Sequence, residues 1–229
     1  MRKNTTLKYY FKNILVALLI VLIFCCGLLA VANITFYKTH LRERVKGYSM
    51  LPTLNSNVED SNTSGDTVYV SPYAEVYRDN IVISSPTWHP SLIIKRLVGL
   101  PGDKIQIKSL EDCYGLFVND KLLYEKSKLS ENNGGYSAAH YHYQKYLSFL
   151  NNPKFSAYVE TKNDETYIRL GKDDYFLIGD NWGNSLDSLS EGPVSRSEIV
   201  GKVNLIVDYK NQDRMVVIKH VLKKVFSFN

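Results

Sequence analysis

Leu92-Ile93-Ile94-Lys95-Arg96-Leu97-Val98 is an apolar run that ends in Gly99-Leu100-Pro101-Gly102-Asp103. Its shortness and β-branched content suit a strand, and Pro-Gly-Asp suits the tight turn that stops it. Similar runs lie on both sides, at residues 67–71, 81–84, 104–107, 115–118, 175–178 and 200–207. Asn119-Asp120, Gly171-Lys172-Asp173-Asp174 and Gly179-Asp180-Asn181 are turn signals between them. The spacing predicts a mainly β, antiparallel domain. Within the first run, strict alternation puts Lys95 on the face of Ile93 and Leu97, and Arg96 on the other. A lysine enclosed by apolar neighbours is pushed toward its neutral form and can serve as a base. A lysine on an edge strand, reaching water, is the simpler reading of this strand taken alone.

Outward from the strands, residues 138–150 read as a helix inside a polar, aromatic stretch at 125–165 that departs from the β core as an insertion, α/β or irregular. Residues 55–65 read as a polar loop, and 219–228 as a short amphipathic helix with Val221, Val225 and Phe228 against the core. Residues 14–36 carry no charge, and at ~1.5 Å per residue they can cross a hydrocarbon core of ~30 Å. They read as one transmembrane helix. A cleaved secretory signal is the rival, given the basic head and Ala30-Val31-Ala32, but the apolar run exceeds the usual ~7–15 residues of a signal core. The expected organisation is an N-terminus at 1–13, an anchor at 14–36 and one domain at 37–229. Basic residues balance on the two flanks of the anchor, so charge counting leaves its orientation open.

The net charge of +5 is modest and requires no nucleic acid partner, whereas the basic stretch at 38–46 favours anionic membrane lipid. Of three cysteines, Cys25 and Cys26 lie in the apolar run and Cys113 stands alone in the domain, so no disulfide joins the domain to itself.

Ser49, in Gly47-Tyr48-Ser49-Met50-Leu51-Pro52-Thr53-Leu54, puts a hydroxyl shortly after the anchor. A serine needs a base to attack. None of the five histidines sits in a turn-rich, glycine-flanked context, and His140 with His142 is a bare His-x-His without the companions a metal needs; both read as surface residues. Leu51 occupies the second glycine of a nucleophile elbow. Lys95 is the remaining candidate base.

Four stretches in order, Gly47-x-Ser49-Met50-x-Pro52-Thr53-Leu54, Gly65-Asp66-Thr67-Val68, residues 94–103, and Gly179-Asp180-Asn181-x-x-Asn184-Ser185-x-Asp187-Ser188, resemble the motif boxes of type I signal peptidases. The single anchor looks like the Gram-positive form. The resemblance implies a membrane-anchored serine endopeptidase with its mainly β domain on the outer side of the cytoplasmic membrane, removing signal peptides of exported preproteins after small-x-small sites. Carried over, Ser49 is the nucleophile and Lys95 the general base. The amide of Ser49 and the Gly47 position serve the oxyanion, Ser185 orients the Lys95 amine, Asp187 pairs with Arg96, and Met50 lines the substrate cleft. No cofactor or metal is implied. Trp182 and Leu189 depart from the arginines that relatives carry there, which motivates a competing reading: a non-proteolytic or restricted-client surface assembly factor, for instance for a pilus, with secretion or surface-assembly partners.

Overall fold

The computed structural model describes residues 3–60, 62, 65–129, 137–211 and 213–226. Parts of the 55–65 loop, part of the 125–165 stretch, and Phe228 therefore lie outside the described residues. The chain divides into two compact units, residues 1–41 with 212–229, and residues 42–211.

In the first unit, α1 (Lys3–Thr39) is a single helix whose apolar side chains are exposed along most of its length, Val31 and Ile34 among them. Among the described residues it contains one segment, Tyr9–Thr39, long and apolar enough to cross a membrane. Near its end Phe36 is buried and meets the ring of His220, on the C-terminal helix Asp213–Phe226 (α4 below), at 5.7 Å. That helix starts earlier than the sequence predicts. It also groups with α1 rather than with the β core, and although Val221 is buried, Val225 stays 43% exposed.

The second unit is built from two sheets. The seven-stranded sheet runs β1 (Leu41–Arg44), β2 (Thr67–Pro72), β12 (Ile199–Val207), β3 (Ile81–Ser84), β4 (Ile93–Gly99), β10 (Asp174–Ile178) and β11 (Val194–Ser195). The five-stranded sheet runs β7 (Lys121–Ser127), β6 (Cys113–Val118), β5 (Lys104–Ser109), β9 (Glu165–Arg169) and β8 (Val159–Lys162). The pairings among β2 to β12 are antiparallel, as the short turn-separated runs lead one to expect. β4 is an interior strand, with β3 on one side and β10 on the other. Both of its faces are therefore covered: Leu97 packs with Val82, Leu177 and Ile199, while Ile94 packs with Val68, Ile83 and Met50. At ~25 cal/mol per Å2, each such buried aliphatic side chain contributes about 2 kcal/mol.

The predicted helix in the 125–165 stretch is α2 (Ala138–Asn151). Ser137 caps it by accepting the His140 N–H, and Asn152-Pro153 ends it. Ala139, His142, Tyr146 and Phe149 recur at helical spacing and form its buried face. A 3₁₀ turn, Pro153–Tyr158, and β8 then return the chain to the five-stranded sheet. Phe149 stacks on Phe155 at 4.2 Å, and both join Ile105, Leu116, Ile168 and Phe176 in one core. The described residues of the stretch from Ser137 on are thus packed into the unit, not set apart from it. A short helix α3 (Ser188–Glu191) follows β10.

Candidate active site

Ser49 lies in a turn after Gly47, whose φ of +80° is a conformation that favours glycine. Asn55 fixes this turn: its side-chain amide donates to Gly47 O at 2.9 Å, and its backbone N–H donates to the buried Asp66 carboxylate at 2.7 Å. The Gly65-Asp66 box is therefore a clamp on the loop that carries the serine.

Lys95 extends from the middle of β4 and is 4% exposed. This burial, and not strand pairing on both sides, removes the water-reaching lysine. Its Nζ donates to Ser49 Oγ at 2.8 Å and to Ile94 O at 3.0 Å. Burial pulls its pKa down from the ordinary lysine value to about 8; Lys145 pulls the same way, and the charges of Asp187 and Asp180 oppose them. At that value roughly a tenth of the amines are neutral at pH 7. Among the described residues no acceptor is paired with the Ser49 N–H, which leaves that amide free to meet an oxyanion.

The last box comes from the segment after β10 and holds the nucleophile loop from behind. Asn181 donates its backbone N–H to Ser49 O at 3.0 Å and its side-chain amide to Tyr48 O at 3.0 Å. Gly179 leaves room for this approach, since a Cβ there would stand 2.2 Å from Ser185 Oγ and 2.5 Å from Ser49 O.

Three expected roles come out differently. Arg96 pairs with Asp180, not Asp187: Nε and Nη2 reach its two carboxylate oxygens at 2.7 and 2.6 Å, and Thr53 donates to the same carboxylate at 2.5 Å. The register explains it, because Ile178 lies opposite Arg96 and Asp180 follows two residues later. Asp187 is instead fully enclosed, accepting from Gly179 N–H and Leu189 N–H as the cap of α3, and burial raises its pKa. Ser185 Oγ, buried against Gly179, has no hydrogen-bond partner among the described residues, the Lys95 amine included, while Ile94 O is the amine's second partner. Met50, 2% exposed, does not line the cleft but packs beneath it with Ile83 and Ile94.

The cleft beside the dyad has a volume of about 790 Å3 and is lined by Ser49, Lys95, Gly47 and the apolar side chains of Val68, Ile83 and Ile93. β10 covers β4 only from Arg96 onward, so Ile93 to Lys95 have β3 on one side and, among the described residues, no strand on the other.

The sequence did not point to the residues of α2 and β7 that brace the last box. Lys145 Nζ donates to Ser185 O, and Lys126 Nζ donates to Asp180 O at 2.5 Å while lying 5.2 Å from the centre of the Trp182 ring. His142 meets the same ring edge-on at 4.3 Å. It is 1% exposed, not a surface residue, and burial drives its pKa down to about 3, so it is neutral. Among the described residues no group of three His, Cys, Asp or Glu could hold a metal. Trp182 and Leu189 are both buried in the core that α2 completes.

The family model described as signal peptidase, peptidase S26, matches residues 10–208, a span that holds all four motif stretches. The chain belongs to the type I signal peptidases of this family. Signal peptidase I U of Bacillus subtilis (strain 168) is 30% identical over 205 residues, covering 89% of this chain and 92% of the relative. Signal peptidase I P of Bacillus subtilis subsp. natto is 29% identical over 209 residues, covering 90% and 91%. A crystal structure of a signal peptidase I from Enterococcus faecalis V583 aligns at 22% identity with a TM-score of 0.34, over 57% of this chain and 98% of the other, which is too weak to build on. As a member of this family the chain is a serine endopeptidase, and its apolar N-terminal helix fits a membrane-anchored enzyme.

Proposed function

We propose that this peptidase removes signal peptides from exported preproteins with a Ser49/Lys95 dyad, cutting after small-x-small sites. The observation that carries this reading is the 2.8 Å contact between Ser49 Oγ and a lysine amine that burial has brought to a pKa of about 8. In its neutral state the amine takes the serine proton as Oγ attacks the scissile carbonyl carbon. The carbonyl electrons move onto oxygen, where the Ser49 N–H meets them. Collapse expels the new N-terminus of the mature protein as an amine, protonated by the Lys95 ammonium. Lys95 then takes a proton from water as the water oxygen attacks the ester carbonyl, and returns it to Ser49 Oγ as the acyl–oxygen bond breaks and the signal peptide leaves with its new C-terminal carboxylate. The reaction needs no cofactor.

Substrate enters as an extended strand beside the uncovered edge at Ile93 to Lys95, through main-chain hydrogen bonds. The apolar floor of Val68, Ile83 and Ile93 accepts small side chains. Residues 14–36 form a single anchor, with 1–13 cytoplasmic and the peptidase domain of 37–229 on the extracellular side, where it meets precursors as they emerge. The basic 38–46 stretch favours anionic lipid there.

The test is cleavage of a purified preprotein in liposomes by the full chain and by Ser49→Ala, Lys95→Ala and Lys95→Arg. Cleavage by the wild type after a small-x-small site, and by none of the variants, is the expected result. Near-normal turnover by Lys95→Arg, which keeps a cation but has no accessible neutral state, would remove lysine as the base.

A further inference from the structure

α4 presents two apolar stripes. Val217 and Val221 are buried, on the face where His220 brings its ring to Phe36 of α1. At 100° per residue, Met215, Ile218, Leu222 and Val225 form a second stripe beside the first. Met215, Ile218 and Val225 are 52%, 38% and 43% exposed. Lys219 and Lys223, both exposed, follow on the far side of this stripe. An outward apolar stripe edged by lysines is the pattern of a helix lying in a membrane surface.

The position of α4 along α1 supplies the occupant. The apolar segment Tyr9–Thr39 has 31 residues. At ~1.5 Å per residue that is about 46 Å, against a hydrocarbon core of ~30 Å. Phe36, near the end of this segment, belongs at headgroup depth once the segment spans a bilayer, and α4 meets α1 there. The exposed stripe of α4 thus continues the lipid-facing surface of the helix beside it.

We infer that α4 is an interfacial helix, placing Met215, Ile218, Leu222 and Val225 among the upper acyl chains and Lys219 and Lys223 among the phosphates of an anionic membrane surface. This rests on the reading of α1 as the anchor. It adds a second membrane contact, formed by the chain's C-terminal part.

Lipid quenching tests it on the full chain with Cys25, Cys26 and Cys113 replaced by alanine. Single cysteines, Ile218→Cys, Lys219→Cys and Leu19→Cys, carry an environment-sensitive fluorophore in vesicles of phosphatidylcholine with phosphatidylglycerol, and quenching is read from spin labels placed at the upper acyl carbons, just below the headgroups, or deep in the chains. The expected result is several-fold stronger shallow quenching at Ile218 than at Lys219, with deep quenching at Leu19. Weak, equal quenching at Ile218 and Lys219 beside deep quenching at Leu19 overturns the role of α4 and leaves the anchor standing. No quenching at Leu19 overturns the anchor and the inference with it. Lys219→Gln with Lys223→Gln should lower Ile218 quenching in phosphatidylglycerol vesicles and leave it unchanged in pure phosphatidylcholine. No loss in phosphatidylglycerol vesicles overturns the anionic preference.

Discussion

Two lysines near the active site live under opposite rules. Lys95 is buried among apolar neighbours, and its partners, a serine hydroxyl and a backbone carbonyl, are both neutral. Lys145 projects from α2 and donates to the Ser185 carbonyl on the last box. The first is held where its charge is costly, which keeps a usable share of it neutral. The second is only half-buried, and its hydrogen bond helps to hold a loop. A site of this kind needs both: one amine whose proton is loose, and a rigid surround that keeps it so.

The largest test of that contrast replaces Lys95 itself. Because its folded pKa, about 8, lies below the ordinary 10.5, the unfolded chain binds the proton more tightly. Below pH 8 this costs the fold on the order of 3 kcal/mol, and the cost disappears as pH rises from 8 to 10.5. Lys95→Met should therefore abolish cleavage yet be more stable than the wild type at pH 7, with the gap closing by pH 10.5 in thermal unfolding of the detergent-solubilised chain. A gap that widens with pH would refute the buried, loosely protonated lysine.

Asp180→Asn ranks next. It removes the charge that faces the Arg96 fork, a pair largely out of water, and weakens the exposed Thr53 contact. A loss of about 2–3 kcal/mol is expected, with a fall in kcal/mol-equivalent activity no larger than that loss. Denaturant unfolding beside kcat/KM checks it, and Asp187→Asn should not reproduce the loss of the Arg96 contact.

The smallest effect concerns Lys145. The rate should rise about tenfold per pH unit up to roughly pH 8 as Lys95 loses its proton. Since the Lys145 cation lowers the Lys95 pKa, Lys145→Met should move this limb to higher pH, and Lys145→Arg should restore it. Equal profiles in all three would make Lys145 a structural tie only.

The pairing of Ser49 with Lys95 is legible only through the four ordered boxes, since the charge interrupting the apolar strand, taken alone, reads more simply as an edge lysine. The interior strands are legible because their apolar runs are local. β7 and β8 read as polar because they are the outer strands of their sheet and turn side chains to water. The partner of Arg96 is invisible in composition, since Asp180 and Asp187 both sit in turn-like stretches and only the pairing of Ile178 with Arg96 selects between them. His142 reads as a surface residue because nothing in its neighbours announces that Trp182 covers it.

The ties between the nucleophile loop and the last box span most of the catalytic unit: Thr53 to Asp180 is 127 residues, and Asn181 to Tyr48 is 133. At ~5–20 residues per second, a ribosome reaches Asp180 roughly 6 to 25 seconds after Thr53. Ser49 is thus made early and positioned late. The order of synthesis therefore delays assembly of the site until the last box has left the ribosome.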